Sequence, residues 1–328
     1  MRDGGLLGWA TEPLIRTDDA QPGTLARVLT AAPARRQSIF AALAKITVEG
    51  NCRADDLFSN DLAYIIRHGR AVDILRHAFS GVPEGYPTLL ERIGERPLDS
   101  AVDYLILRDL CAVGHPNVME AMRSCDRITR SKLRVITALN TRWVHANILS
   151  RIDTPAEAAD FNRAVTFIQS VSTKATDEAV ALAIANMART TTLARLLDRL
   201  LRRADRLPAH PLGQGDNELR PLRTMREHLE AARKYRNCLA HRLGDIAAGK
   251  MAIAEFRGEI LLEFRPLSMG KGWLFWSAHG PRNGLVALDL KDAAAGACER
   301  FGVPSVQERS VSMEWSSFRR FTRELEWG

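Results

Sequence analysis

Residues Glu218 to Asp245, ELRPLRTMREHLEAARKYRNCLAHRLGD, decide the reading of this chain. Leu222, Met225, Leu229, Ala232, Leu239 and Leu243 recur three and four residues apart except at one gap, the pattern of an amphipathic helix over about 218–245. Arg236 fills the gap. A guanidinium keeps its charge in proteins, so one placed in a buried stripe costs several kcal/mol unless an acid or a phosphate meets it. Asn237 and His241, four apart, stack on one flank, and Lys234 stands seven residues before His241. At about 100° per residue, His241 points roughly 140° away from Arg236. Bringing both onto one small group therefore takes a flexible arginine, a kink, or the same helix from a second subunit.

Upstream, Thr154 followed by Pro155 opens a helix to about Ser172, and a second helix is predicted from about Thr176 to Arg206. Asp177 and Glu178 lie near its positive end, and Arg202, Arg203 and Arg206 near its negative end. The loop PAHPLGQGDN, residues 208–217, joins it to the third helix, and three long helices with short connections imply a bundle. The first 150 residues read as shorter helices: Thr24 to Ala32, Arg35 to Ile46, Asp61 to Phe79, Thr88 to Ile93, Ala101 to Cys111 capped by Ser100, Asn117 to Cys125 opened by Pro116, and Ser131 to Leu149. Past Ile246, Glu259 to Phe264, Gly272 to Ser277 and Gly284 to Leu290 read as strands, and Lys291 to Phe301 and Trp315 to Leu325 as helices packing on them. Trp273, Phe275 and Trp276 then fill the core of the small sheet or offer a stacking surface to bases. The expected fold is mainly α: a multi-helix N-terminal region (1–150), a central helical bundle (151–250) and a small α+β C-terminal region (251–328).

With 328 residues, 46% hydrophobic and 26% charged, with 22 Gly and 14 Pro, the composition excludes disordered and collagen-like classes. No run reaches the roughly 20 apolar residues that a spanning helix needs, so no membrane partner is expected. The opening residues carry acids where a signal peptide has an apolar core, which points to the cytoplasm. Five scattered cysteines, Cys52, Cys111, Cys125, Cys238 and Cys298, contain no CxxC pair and read as reduced thiols. Cys238 and His241 form at most half of a metal site, and no second pair with ligand spacing follows. Gly244 to Lys250 has the spacing of a phosphate-binding loop, but Met251 stands where Ser or Thr should reach magnesium. No metal or cofactor is therefore expected.

The chain carries a net charge of +7, and the stretch Leu193 to Arg242 holds twelve Lys or Arg against six acids. Arg195, Arg199, Arg202 and Arg206 recur at spacings of four, three and four on one face of the second predicted helix, with Arg233 and Lys234 on the third. They form either a track for an RNA backbone or a solvated face partly neutralised by contacts such as Asp198 to Arg202.

Tyr235 to His241, YRNCLAH, late in a helix of a predicted bundle, resembles the Arg-Asn-x-x-x-His signature of HEPN-domain proteins, many of them metal-independent endoribonucleases of toxin–antitoxin, phage-defence and RNA-processing systems. The resemblance covers about 155–246. It implies His241 as acid and base, Arg236 as stabiliser of the phosphate charge and Asn237 as the group that orients them. It further implies RNA as substrate, a homodimer that brings two motifs together, and an antitoxin or other protein partner. RNA carries its own nucleophile in the 2′-hydroxyl, so a histidine and an arginine suffice, and the product ends are a 2′,3′-cyclic phosphate and a 5′-hydroxyl. The loose spacing, Arg then His five to seven residues on, also fits Arg70/His77, Arg108/His115, Arg203/His210 and Arg223/His228, but of these five arginines only Arg236 is followed directly by Asn. Two alternatives stay open: Arg236 pairs with an acid such as Asp177 or Glu178, and the chain is a non-catalytic HEPN-like or helical scaffold that binds RNA or a protein.

Overall fold

The computed structural model describes residues 7–49 and 60–305. Sixteen α-helices and one antiparallel sheet make up the described residues. The first ten helices are α1 (Thr11–Ala20), α2 (Thr24–Leu29), α3 (Pro33–Glu49), α4 (Asn60–His68), α5 (Ala71–Ala78), α6 (Tyr86–Glu91), α7 (Ala101–Val113), α8 (Pro116–Ser124), α9 (Arg130–Ala138) and α10 (Ala146–Leu149). Then follow α11 (Pro155–Val171), α12 (Asp177–Ala185), α13 (Leu193–Leu201), strand β1 (Leu219–Pro221), α14 (Met225–Tyr235), α15 (Leu243–Ala247), strands β2 (Ala252–Phe256), β3 (Ile260–Pro266) and β4 (Trp273–His279), and α16 (Leu288–Glu299). By internal contact the chain divides into two compact units, residues up to 167 with 176–197, and 168–175 with 198 onward. Among the described residues no helix is long and apolar enough to cross a membrane.

The first unit is built around α3. Ile39, Phe40, Ala41, Ala42, Leu43 and Ala44 are all fully buried, so the middle of this helix is covered on every side. Its neighbours start and stop where local chemistry says they should: Ser100 accepts the Val102 N–H at the head of α7, Gly114 ends it in the left-handed conformation, and Pro116 opens α8. Two long helices expected here are each broken. The run Asp61 to Phe79 divides into α4 and α5, because the chain is extended at Arg70 and the Asp73 carboxylate accepts the Arg70 N–H (3.0 Å) at the head of the new helix. Ser131 to Leu149 ends as α9 at Ala138 and resumes as α10, with Asn140 and His145 capping the pieces between.

In the second unit the strands lie in chain order, β1-β2-β3-β4, all antiparallel. Side-chain alternation places Ala252, Ala254 and Phe256 of β2, and Ile260, Leu262 and Phe264 of β3, in one core with Phe275 and with Ala294, Ala297 and Cys298 of α16. The opposite side chains of these strands include Glu255, Glu263 and Arg265. β1 carries Pro221 on the edge of the sheet, where a missing N–H is tolerated. The expected strand at Gly284 to Leu290 does not form. Leu285 and Leu288 are 103% and 75% exposed, so these apolar residues face no core, and α16 begins at Leu288 instead. Phe275 is buried in the sheet core as expected, while Trp276 is half exposed beneath the Arg265 guanidinium. The expected helix at Trp315 to Leu325 lies outside the described residues, as does Cys52. Cys111, Cys125 and Cys298 are buried free thiols, and burial pushes those of Cys111 and Cys298 up to about 12.

Candidate functional site

The helix predicted over 218–245 is four separate pieces. Its first residues form β1, because Pro221 cannot continue a helix and the edge strand accommodates it. The helix proper, α14, starts at a capping box: the Thr224 hydroxyl accepts the Glu227 N–H (3.2 Å), and the Glu227 carboxylate accepts the Thr224 N–H (2.9 Å). It ends at Tyr235. Arg236 turns left-handed, at φ 49° and ψ 49°. The N–H groups of Arg236 and Asn237 reach back to the carbonyls of Arg233 (3.3 Å) and Ala232 (3.2 Å), the paired bonds of a Schellman cap. Asn237 then caps the next turn, its side-chain oxygen accepting the Leu239 N–H (3.1 Å), and a 3-10 turn carries Cys238 to His241.

This corrects the reading of Arg236. It does not interrupt a buried stripe; it is an exposed residue at a chain break, and His241 is exposed as well. The helical angle that separated the two side chains does not apply, because the chain changes direction between them. Neither Asp177, which pairs with Arg142, nor any other described acid forms an ion pair with Arg236. The left-handed position favours glycine, so an arginine there works against stability. Arg236→Gly is expected to be more stable than Arg236→Ala by about 0.5–1 kcal/mol in urea denaturation, although both remove the same guanidinium. Equal midpoints would mean that the break relaxes once the arginine is gone.

The surrounding cations separate into two kinds. Arg233 and Arg236 are exposed and free of ion pairs among the described residues. Lys234 instead donates to Glu255 (2.8 Å), a bond that holds its ammonium above the ordinary lysine value. Glu255 is 5% exposed and also accepts from Arg220 (3.1 Å), so the pair ties the end of α14 to β2 and β1. The arginine stripe is shorter than the spacing suggested. The second predicted helix, Thr176 to Arg206, breaks after Ala185 and restarts as α13, where Thr192 caps the Arg195 N–H (3.3 Å). Only Arg195 and Arg199 lie on α13 and share its face. Arg202 follows the last helical residue and pairs with Asp198 (2.8 Å), and Arg206 lies in the extended segment beyond, its N–H donating to the Val171 carbonyl (3.0 Å).

In three of the other four arginine–histidine spacings the arginine is engaged. Arg70 pairs with Asp73, Arg108 with Asp109 and the Phe79 ring, and Arg223 bonds Gln214 and the Gly213 carbonyl. His210 and His228 line one small cavity of about 20 Å³ in the second unit. The His210 Nε2 donates to the Ile253 carbonyl (3.0 Å) while its Nδ1 accepts the Leu212 N–H (3.1 Å), and the His228 Nδ1 donates to the Thr224 carbonyl (2.7 Å). Burial pulls His210 down to about 4 and lowers His228 in the same direction. Both are neutral in the fold and take up protons on unfolding, so their contribution is lost as pH falls from 6.5, the ordinary histidine value, toward 4. For His210 alone this amounts to about 3 kcal/mol. Urea midpoints measured across that interval should fall, and His210→Gln should flatten the slope there.

Two further features fail the chemical test. A groove of about 560 Å³ lies in the first unit between α8 and α12, but Arg142 is engaged with Asp177 and the His145 Nδ1 with the Asn147 N–H, so that its remaining charged side chains are the carboxylates of Glu120 and Glu178. On the sheet, Ser277 Oγ (2.9 Å) and Glu263 Oε2 (3.3 Å) approach the same His279 nitrogen, Nε2. A nucleophile relay needs the acid on one ring nitrogen and the hydroxyl on the other, so this trio is not one. The candidate site is therefore the exposed corner Arg233 to His241. No family model, curated protein or solved structure matches the chain.

Proposed function

We propose that the chain is a metal-independent endoribonuclease of HEPN type, acting in the cytoplasm in the manner of toxin and phage-defence effectors. The observation that carries this reading is the chain break at Arg236. A guanidinium with no ion pair among the described residues is held at a left-handed position, and the next residue, Asn237, caps the turn that ends in an exposed imidazole, His241. Backbone strain of this kind is retained where a side chain has a task.

In the proposed reaction His241 takes the proton of the 2′-hydroxyl and returns one to the leaving 5′-oxygen, since an imidazole can both accept and donate a proton. Arg236 opposes the negative charge that builds on the phosphate. Asn237 fixes the turn between them. Arg233, Arg195 and Arg199 hold the strand by its phosphates, with Arg202 and Arg206 beyond α13. Lys234, bound to Glu255, contributes to the corner's position more than to its free charge. A homodimer presents two such corners to one RNA, and an antitoxin or other protein partner masks them.

The test is incubation of wild type and His241→Ala with total RNA in EDTA, followed by analysis of fragment ends. Cleavage by the wild type alone, leaving 2′,3′-cyclic phosphates, is the expected result. RNA that stays intact with folded wild type, yet is bound in a salt-dependent way, would overturn the enzyme and leave an RNA-binding scaffold.

A further inference from the structure

After β4 the chain turns through Gly280 to Gly284 before reaching α16. The Gly280 N–H donates to the Gly284 carbonyl (3.0 Å) and the Gly284 N–H to the Pro281 carbonyl (3.0 Å), closing a tight loop. Inside it Arg282 and Asn283 have φ of 58° and 56°. Left-handed backbone costs an L residue roughly 1–2 kcal/mol, and two in succession are a concentrated strain. Among the described residues four non-glycines have positive φ: Arg236, Arg257, Arg282 and Asn283.

Three of these four are gathered around one cysteine. The Asn283 side-chain amide lies 3.8 Å from Sγ of Cys238, two residues after Arg236 and three before His241. The loop that carries a second Arg-Asn pair is therefore docked on the turn that carries the first. Arg282 is exposed and makes no hydrogen bond or ion pair among the described residues. The acids nearest in sequence to the corner are engaged, Glu230 by Arg226 (3.6 Å) and Asp245 by Arg242 (2.9 Å), and Glu255 is held by Lys234 and Arg220, so the unpaired charge here is positive.

We propose that the loop Gly280 to Gly284 is the second wall of the RNA site, with Arg282 gripping a backbone phosphate of the bound strand and Asn283 locking the loop to the motif through Cys238. This rests on the ribonuclease reading and extends it. Arg236 serves the phosphate that reacts; Arg282 serves a neighbouring one and sets how the strand lies across His241. Glycine would remove the strain at both positions, and the side chains found there are those that recognise phosphate and hydrogen-bond its surroundings.

The test uses the full chain carrying His241→Ala, so that RNA is bound and not cut, and a short fluorescein-labelled RNA of mixed sequence read by anisotropy over a salt series. Arg282→Ala should weaken binding about ten-fold at low salt. It should also reduce the slope of log affinity against log salt by about 0.7, the loss of one single-strand phosphate contact. Arg282→Gly should do the same with the loop relaxed and not broken, which separates lost charge from lost fold, and Arg282→Lys should restore the slope. Wild-type affinity and slope in both the Ala and Gly proteins would overturn the proposal. If the wild type still cuts RNA to cyclic ends, that result leaves the ribonuclease reading intact. Weakened binding in a protein whose wild type never cuts would support the loop as an RNA contact and sink the nuclease. No retention of RNA at low salt would overturn both.

Discussion

If the chain is the proposed ribonuclease, His241→Ala is expected to lower the rate of RNA cleavage by about a hundred- to ten-thousand-fold and to leave stability within about 0.5 kcal/mol of wild type. The two halves of this expectation come from one fact, the exposure of the imidazole at the end of the 3-10 turn. Removing an exposed ring opens no cavity and strands no buried partner, so the urea midpoint should hardly move. The rate should move greatly, because in the proposed reaction His241 carries both proton transfers, and the other charged groups of the corner are arginines and Lys234. Arg236→Lys is a sharper probe than Arg236→Ala. A lysine keeps the charge but not the planar fork that matches phosphate oxygens, so it should recover binding better than turnover. Asn237→Ala should act through position, with about 1 kcal/mol lost at the cap and a slower reaction that falls short of the His241 effect. Equal rates for wild type and His241→Ala, with unchanged product ends, would remove His241 from the chemistry.

The sequence showed the helical class and the small C-terminal sheet because periodicity and turn residues report burial directly. It misplaced the ends of the long helices for a physical reason. The apolar spacing of 218–245 continues across Arg236, since Leu239 and Leu243 are buried in their own turns, and periodicity cannot distinguish one helix from two whose apolar faces both meet a core. The usual stop, a glycine at the left-handed position, is absent: the residue there is an arginine, and only tertiary structure reveals the conformation. The start is legible in the sequence. Thr224 with Glu227 is a capping box, and Pro221 just before it excludes a helix interior. Thr192 before α13 was a signal of the same kind. The pairing of Lys234 with Glu255 was hidden for a different reason, being a contact between residues 21 apart on a helix and a strand that the sequence reading had not foreseen. The Arg282 loop was hidden by its distance in sequence from the motif.

Gln37→Leu lowers the stability of the first unit by about 3–5 kcal/mol, a large effect for one side chain of nearly conserved volume. Gln37 lies on α3 and is fully buried. Its amide nitrogen donates to the carbonyls of Gly94 (2.7 Å) and Arg96 (2.8 Å), and its oxygen accepts the Tyr104 hydroxyl (2.6 Å). That hydroxyl in turn accepts the Leu98 N–H (3.1 Å). One glutamine thus joins the central helix to α7 and to the segment between α6 and α7. Burial pushes the Tyr104 phenol far above its ordinary value, so it remains a donor throughout the accessible pH range. A leucine fills the space but leaves two carbonyls without a donor and the Tyr104 O–H without an acceptor, each worth about 1–3 kcal/mol when buried. Some relief through shifts of the 94–98 segment keeps the total below the sum. For a unit of this size the melting temperature should fall by roughly 10 °C. Tyr104→Phe removes the hydroxyl and leaves the two carbonyl bonds, so its cost should be smaller, and the double variant should cost less than the two single changes added, because both break the same link. Additive costs would show that Gln37 and Tyr104 act separately, and a loss under about 1 kcal/mol for Gln37→Leu would show that the network does not hold α3 in place.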